Sequence, residues 1–145
     1  MQDVRLVIEP HASGAAHQFV RDHLDAYNIA ATGQADYSQF AVFLRGAHDE
    51  IMGGLLGAVW GGWLHVAIIW VTEALRGRGH GRALLAVAER WALERGCRDA
   101  FLDTFSFQAP EFYRKLGWEV FGTLEDHPPG HTHYFLRKRL GGPTP

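Results

Sequence analysis

Apolar positions along this chain recur with two different periods, and each change of period marks an element. Val4, Leu6 and Ile8 alternate with Arg5, Val7 and Glu9, which predicts a first strand ending at Pro10. Ala16, Phe19, Val20, Leu24 and Tyr27 then follow helical spacing as far as Gly33, with Arg21, Asp22 and Asp25 off the stripe on a solvated face. Phe40–Arg45 returns to strand character before the polar turn Gly46–Glu50. Ile51–Val59 and Trp63–Val71 are apolar runs around Gly61-Gly62, a hairpin signal between buried strands. Leu84, Leu85, Ala88, Trp91 and Ala92 form a second helical stripe, and Gly96 stands where its C-terminal cap belongs. Phe101–Thr104 predicts another strand, Pro110 to Gly117 a short helix, and Glu119–Leu124 with Thr132–Arg139 a closing strand pair. The predicted order is β-α-β-β-β-α-β-α-β-β. It gives an α/β (α+β) fold with a mixed, mostly antiparallel central sheet flanked by helices.

One stretch admits a second reading. Ile51 to Val71 carries no formally charged residue and is long enough to span a bilayer. Gly53, Gly54, Gly57, Gly61, Gly62 and His65 interrupt it, and no lysine or arginine anchors flank it, so two buried strands are expected and no membrane partner.

Composition narrows the class. With 145 residues the chain suits one domain, expected over residues 1–140, with 141–145 as a flexible tail. A net charge of −2 leaves no sequence-wide basic field, so nucleic acid is not an expected partner. Cys97 is the only cysteine, which excludes an internal disulfide and a cysteine metal cluster. The opening MQDVRLVIEP lacks the basic and long apolar regions of a signal peptide, so a cytoplasmic location is expected.

Candidate chemistry concentrates between the run ending at Val71 and the second helical stripe. Arg76-Gly77-Arg78-Gly79-His80-Gly81-Arg82 combines close backbone approach, unpaired N–H groups at a helix start and clustered positive charge, which suits phosphates. No Lys-Ser or Lys-Thr pair follows, so a P-loop does not fit. A dinucleotide loop fits better, because Asp99 and Asp103 lie roughly twenty residues on. Against it, Arg82 replaces the third fingerprint glycine, and only one strand–helix–strand unit is visible.

Two motifs together carry a resemblance. Arg76-x-x-Gly79-x-Gly81 follows a strand ending in Val71, and Phe112-Tyr113-x-x-x-Gly117-Trp118 lies downstream. Loop and block at this spacing resemble the GCN5-related N-acetyltransferases, with their R/Q-x-x-G-x-G/A loop and N-x-x-A-x-x-F/L-Y-x-x-x-G-F/Y block. Gln108 stands where the family usually has asparagine. The likeness covers roughly residues 40–140, and the N-terminal quarter only in its element order.

The resemblance implies acetyl-CoA as co-substrate and direct transfer of its acetyl group to a primary amine, with no covalent enzyme intermediate. It assigns Arg76, Gly77, Arg78, Gly79, His80, Gly81 and Arg82 to the CoA phosphates, backbone groups near Ile69 and Val71 to the pantetheine amides, and a further contact to Gln108. It also implies that the strand ending at Val71 splays from the Phe101–Thr104 strand. Tyr113 becomes the candidate acid for the leaving thiolate. Glu73 and Asp103 are candidate bases, each with a plainer role as turn residue or loop brace. Tyr27 is expected as a core aromatic, and Cys97 as a small buried residue.

His131 and His133 would share one strand face near His127. No acidic or cysteine ligand joins them at a recognised spacing unless Asp126 does, so a pocket-lining role is expected and no metal. Two alternatives stand beside the enzyme: a non-catalytic acyl-CoA-binding module, and a metal-binding or interaction protein using the histidine hairpin. The acceptor expected from the resemblance is a small-molecule or peptide amine, with amino acids, aminoglycoside-like drugs and protein lysines among the open choices. Because exposed edges of such sheets often pair, a homodimer is also expected.

Overall fold

Serine and glycine set the ends of the first helix. Residues 3–141 are described by the computed structural model, in two compact units that divide between Ala35 and Asp36. The first unit holds α1 (Gly14–Thr32); the Ser13 side chain caps it by accepting from the Ala16 N–H, and Gly33, at φ 73°, closes it with its N–H on the Ile29 carbonyl. The strand expected over Val4–Ile8 does not form. Alternation prepares a strand, but only a paired ladder makes one, and among the described residues of this unit there is no strand for it to pair with.

The second unit is built on β1 (Ser38–Arg45), β2 (Ile51–Trp60), β3 (Trp63–Val71), α2 (His80–Glu94), β4 (Asp99–Phe105), α3 (Pro110–Lys115), β5 (Glu119–Glu125) and β6 (Thr132–Arg139). Its six strands form one sheet in the order β1-β2-β3-β4-β6-β5. Every neighbouring pair is antiparallel except β3 with β4, which α2 joins as a crossover. The fold class read from the chain is therefore present, one strand short. Ile51–Val71 is a β-hairpin whose turn residues Gly61 and Gly62 both have positive φ, as a tight two-residue turn requires. Among the described residues no helix is long and apolar enough to cross a membrane. Beyond Gly141, the expected tail lies outside the described residues.

One face of the sheet meets α2. Leu55, Val59, Leu64, Val66, Ala100, Leu102 and Leu136 project from alternate strand positions onto Leu84, Leu85, Ala88 and Ala92. Cys97 is buried beside them, and burial pushes its thiol pKa up, followed by the charge of Asp36. Phe40 lies over Gly57 and stacks on Trp91 with ring centroids 4.2 Å apart, tying β1 to α2.

A register slip divides the β2–β3 ladder. Leu56 pairs with Ile68 but Gly57 pairs with Val66, which leaves Ala67 as an extra residue. Just there β3 leaves β4. Their parallel ladder covers only Trp63–Val66 against Asp99–Leu102, so Ala67–Val71 and Asp103–Phe105 are not paired with each other.

Close backbone approach at Gly57 is open to test. A Cβ there would stand 2.7 Å from the His65 carbonyl oxygen and 3.2 Å from the Phe40 ring. Gly57→Ala is expected to cost about 1–3 kcal/mol, read as a lower urea midpoint at unchanged slope.

Candidate active site

Past Val71 the chain makes one 3-10 turn, Glu73–Leu75, and the Arg76 side chain folds back so that its Nε donates to the Val71 carbonyl at 3.0 Å. Gly77 and Gly79 follow at φ 76° and 85°, a region that L side chains avoid. Gly79 is the N-cap of α2 and offers no side-chain cap. The first helical N–H to find a carbonyl is that of Ala83, on Gly79. Those of His80, Gly81 and Arg82 therefore have no acceptor among the described residues and lie at the positive end of the helix dipole. Arg78 and Arg82 are exposed beside them. This arrangement can hold a polyanion.

Gly81 has a second use. A Cβ there would be 3.3 Å from the Phe112 ring, so the missing side chain lets α3 pack against the first turn of α2. The two motifs that stood about thirty residues apart in the sequence thus touch.

Backbone groups of β3 line the gap. The Thr72 N–H donates to the Met52 carbonyl, which makes that pair a hydrogen-bonded one. Such pairs alternate in an antiparallel ladder, so the N–H and C=O groups of Ile69 and Val71 point away from β2, to the side β4 has left. The Val71 carbonyl is met by Arg76, and the others remain available.

Gln108 braces the loop after β4. Its Oε1 accepts from the Phe105 N–H at 3.1 Å and the Thr104 hydroxyl at 3.3 Å, while the Gln108 backbone N–H donates to the Phe105 carbonyl. Ala109 then takes a left-handed φ of 81°, and Pro110 opens α3. Tyr113 on α3 is buried, edge-on to Phe112 and Trp118. Its phenol is pushed up from 10.0 to about 12, first by burial and then by the negative charge of Asp103. At neutral pH it is a protonated donor.

Asp103 is the first β4 residue beyond the ladder with β3. Its Oδ2 lies 2.7 Å from Nε2 of His133, a buried ring on β6 packed between Phe105 and Phe135. His133 Nδ1 in turn lies 3.2 Å from His127 Nδ1. His131 leaves this group, meeting the Ser106 hydroxyl at 3.3 Å and the edge of Phe107. Among the described residues no three histidine, cysteine, aspartate or glutamate side chains converge as metal ligands would. Glu73 is exposed, and its carboxylate has no partner among the described residues. The structure brings Tyr113 and Asp103 into electrostatic reach of each other and leaves Glu73 apart.

An anion cradle, a backbone-lined gap and a buried proton donor together suit transfer of an acyl group from a phosphate-bearing carrier. The family described as Acetyltransferase (GNAT) matches residues 10–118. The chain belongs to that family. It is an acetyl-CoA-dependent N-acetyltransferase. An acetyltransferase of Agrobacterium fabrum is 35% identical over 137 residues, covering 94% of this chain and all of the relative. Blasticidin-S acetyltransferase of Streptomyces morookaense is 41% identical over 102 residues, covering 70% of this chain and 75% of that one. The crystal structure of an acetyltransferase from Agrobacterium tumefaciens superposes with a TM-score of 0.89 at 35% identity, covering 94% of this chain and 100% of that one.

Sequence reasoning about this GNAT chain missed the link between Asp103 and the histidines. The signal was there in strand parity. Once β6 is set antiparallel to β4, Phe105 faces His133 and Asp103 faces Phe135, all on one side of the sheet.

The Tyr113 environment predicts an alkaline signature. The folded state holds the phenol proton above the usual tyrosine range, so this contribution to stability is complete below pH 10 and is lost as pH rises through about 12. Absorbance at 295 nm should show one late-ionising tyrosine that Tyr113→Phe removes, with a shallower fall in alkaline stability.

Proposed function

We propose that acetyl-CoA lies with its pyrophosphate on the N–H groups of His80, Gly81 and Arg82, the Arg76 N–H being taken by the Glu73 carbonyl, with the Arg78 and Arg82 side chains reaching its outer phosphates. The pantetheine arm runs into the gap between β3 and β4 and pairs with backbone groups of Ile69 and Val71. Gln108 keeps its side-chain nitrogen free for the cofactor while its oxygen braces the loop. The acceptor amine, once deprotonated, attacks the thioester carbonyl, and a β3 N–H stabilises the oxyanion, a contact often worth about 3 kcal/mol. As the C–S bond breaks, Tyr113 gives its proton to the thiolate and recovers one from the nitrogen that has just formed the C–N bond. Overall, ammonium and thioester become amide, thiol and one released proton. The observation that carries this reading is Tyr113 itself, a buried phenol on α3 edge-on to Phe112 and Trp118 and within electrostatic reach of Asp103, the residue at which β4 parts from β3.

Of the two carboxylates proposed to draw off that released proton, Asp103 belongs to this polar centre and Glu73 stands at an exposed turn. The acceptor is a small-molecule primary amine. The likeness to a blasticidin-S acetyltransferase favours amine-bearing antibiotics over peptide amines.

Thiol release from acetyl-CoA would be followed with a polyamine, an aminoglycoside, blasticidin S and a short peptide as acceptors. Tyr113→Phe should lower kcat by about 10²-fold while leaving acetyl-CoA affinity intact; unchanged kcat would reduce Tyr113 to packing. Gly81→Asp should abolish acetyl-CoA binding in a folded protein, since a carboxylate in the first turn suits the helix but repels phosphate. Retained affinity would move the phosphate site elsewhere.

A further inference from the structure

We propose that Asp103, His133 and His127 form a proton relay, and that Nε2 of His127 is the base that takes the proton of the acceptor's ammonium group. The inference rests on the acetyl-transfer reading above and refines its base: Asp103 acts through the two histidines, and His127 replaces it as the group that meets the amine.

The chain of contacts dictates where the protons sit. Asp103, as a carboxylate, only accepts, so the 2.7 Å contact requires a proton on His133 Nε2. Neutral His133 then has a bare Nδ1. The 3.2 Å contact between the two Nδ1 atoms needs a single proton between them, and it must come from His127. His127 is thereby held as the Nδ1–H tautomer, with its Nε2 lone pair free on an exposed ring.

The same geometry moves the charge inward. When Nε2 of His127 takes a proton from R–NH3+, the amine becomes R–NH2 and His127 an imidazolium. Its Nδ1 proton can pass to His133 Nδ1, leaving His127 neutral as the Nε2–H tautomer and putting the positive charge on His133, against Asp103. Reversal and loss of the Nε2 proton to water restore the start. No atom is left over, and the proton released is the one the overall reaction produces. Phe105 stacks on His133 and meets His127 edge-on, so the rings are held in register. Asp103 and His133 are positioning residues, and only His127 touches the substrate.

The titratable groups around the relay are Tyr113 from α3, Asp103 from β4, His133 from β6, and Asp126 and His131 on the loop that carries His127. His127→Gln and His133→Gln leave Tyr113 and Asp103 in place, whereas Asp103→Asn also removes the negative charge that helps to raise the Tyr113 phenol.

Two measurements test the relay. Two-bond nitrogen–proton spectra of histidine-labelled protein at about pH 9, where imidazoles are neutral, should show His127 as Nδ1–H and His133 as Nε2–H, assigned by loss in His127→Gln and His133→Gln. His127 as Nε2–H under those conditions would sink the proposal. Secondly, kcat/KM for an acetylated amine would be followed against pH. His127→Gln should cost about 10²-fold at pH 7, and the deficit should close as pH approaches the amine's own pKa, about 10.4 for a lysine-like acceptor. Asp103→Asn should show a smaller deficit of the same shape. A loss equal at every pH, or none, overturns the relay while normal wild-type transfer leaves the enzyme reading in place. Absence of transfer from wild type to any amine would instead remove that reading and the base role with it.

Discussion

A parallel pair of strands that stops pairing after four residues leaves backbone groups that must be satisfied from outside the sheet. In this protein the extra residue Ala67 turns β3 at that point, and the groups of Ile69 and Val71 face the space where β4 no longer runs. A linear molecule with amide groups of its own answers that need better than isolated waters. The rest of the second unit can be read as support for this opening. The α2 crossover makes β3 and β4 parallel, so their C-terminal ends lie side by side. The loop into α2 closes one end of the opening with N–H groups and arginines. Tyr113 and Asp103 supply ionisable groups near the point of divergence.

Supports of this kind work only if they are mutually fixed. Phe112 against Gly81 ties α3 to the start of α2, and Arg76 ties the loop to Val71. Gln108 ties the end of β4 to the turn before α3. Each tie uses a small or polar residue in place of further apolar burial. The large apolar contacts lie between the sheet and the body of α2. Phe112 and Tyr113 join that core from α3, so the site and the core share this helix, and the glycines of the loop are held by backbone conformation and by the approach of Phe112.

How much of this was legible from the chain differs by element. The helices α2 and α3 and the β2–β3 hairpin were plain, because periodicity, Gly61-Gly62 and Pro110 are local signals. Val4–Ile8 misled, because alternation reports a surface with two faces and says nothing of a partner strand. The glycine-rich helix start from Arg76 to Arg82 was legible because glycines just ahead of an apolar helical stripe are a local signal. The bulge at Ala67 was not, since a one-residue register slip depends on both strands. The pairing of Asp103 with His133 was hidden for a related reason: it spans a distance in sequence that only the strand order closes. Histidines read as a loose cluster turned out to divide, His127 and His133 toward Asp103 and His131 toward Ser106.

The charge-free hairpin from Ile51 to Val71 also has a history during synthesis. It leaves the ribosome before α2, the helix that covers its apolar face, so for a time that face has only water beside it. Translation adds roughly 5–20 residues per second, whereas a hairpin closes in about 1–10 μs. A turn of two glycines that needs no distant partner lets β2 and β3 satisfy each other's backbone long before the next element arrives. Gly53, Gly54 and Gly57 lower the strand propensity of the exposed run in the same interval. The turn glycines thus shorten the period in which this segment could pair with another nascent chain, and the glycines that admit close packing in the finished sheet weaken such pairing while it lasts.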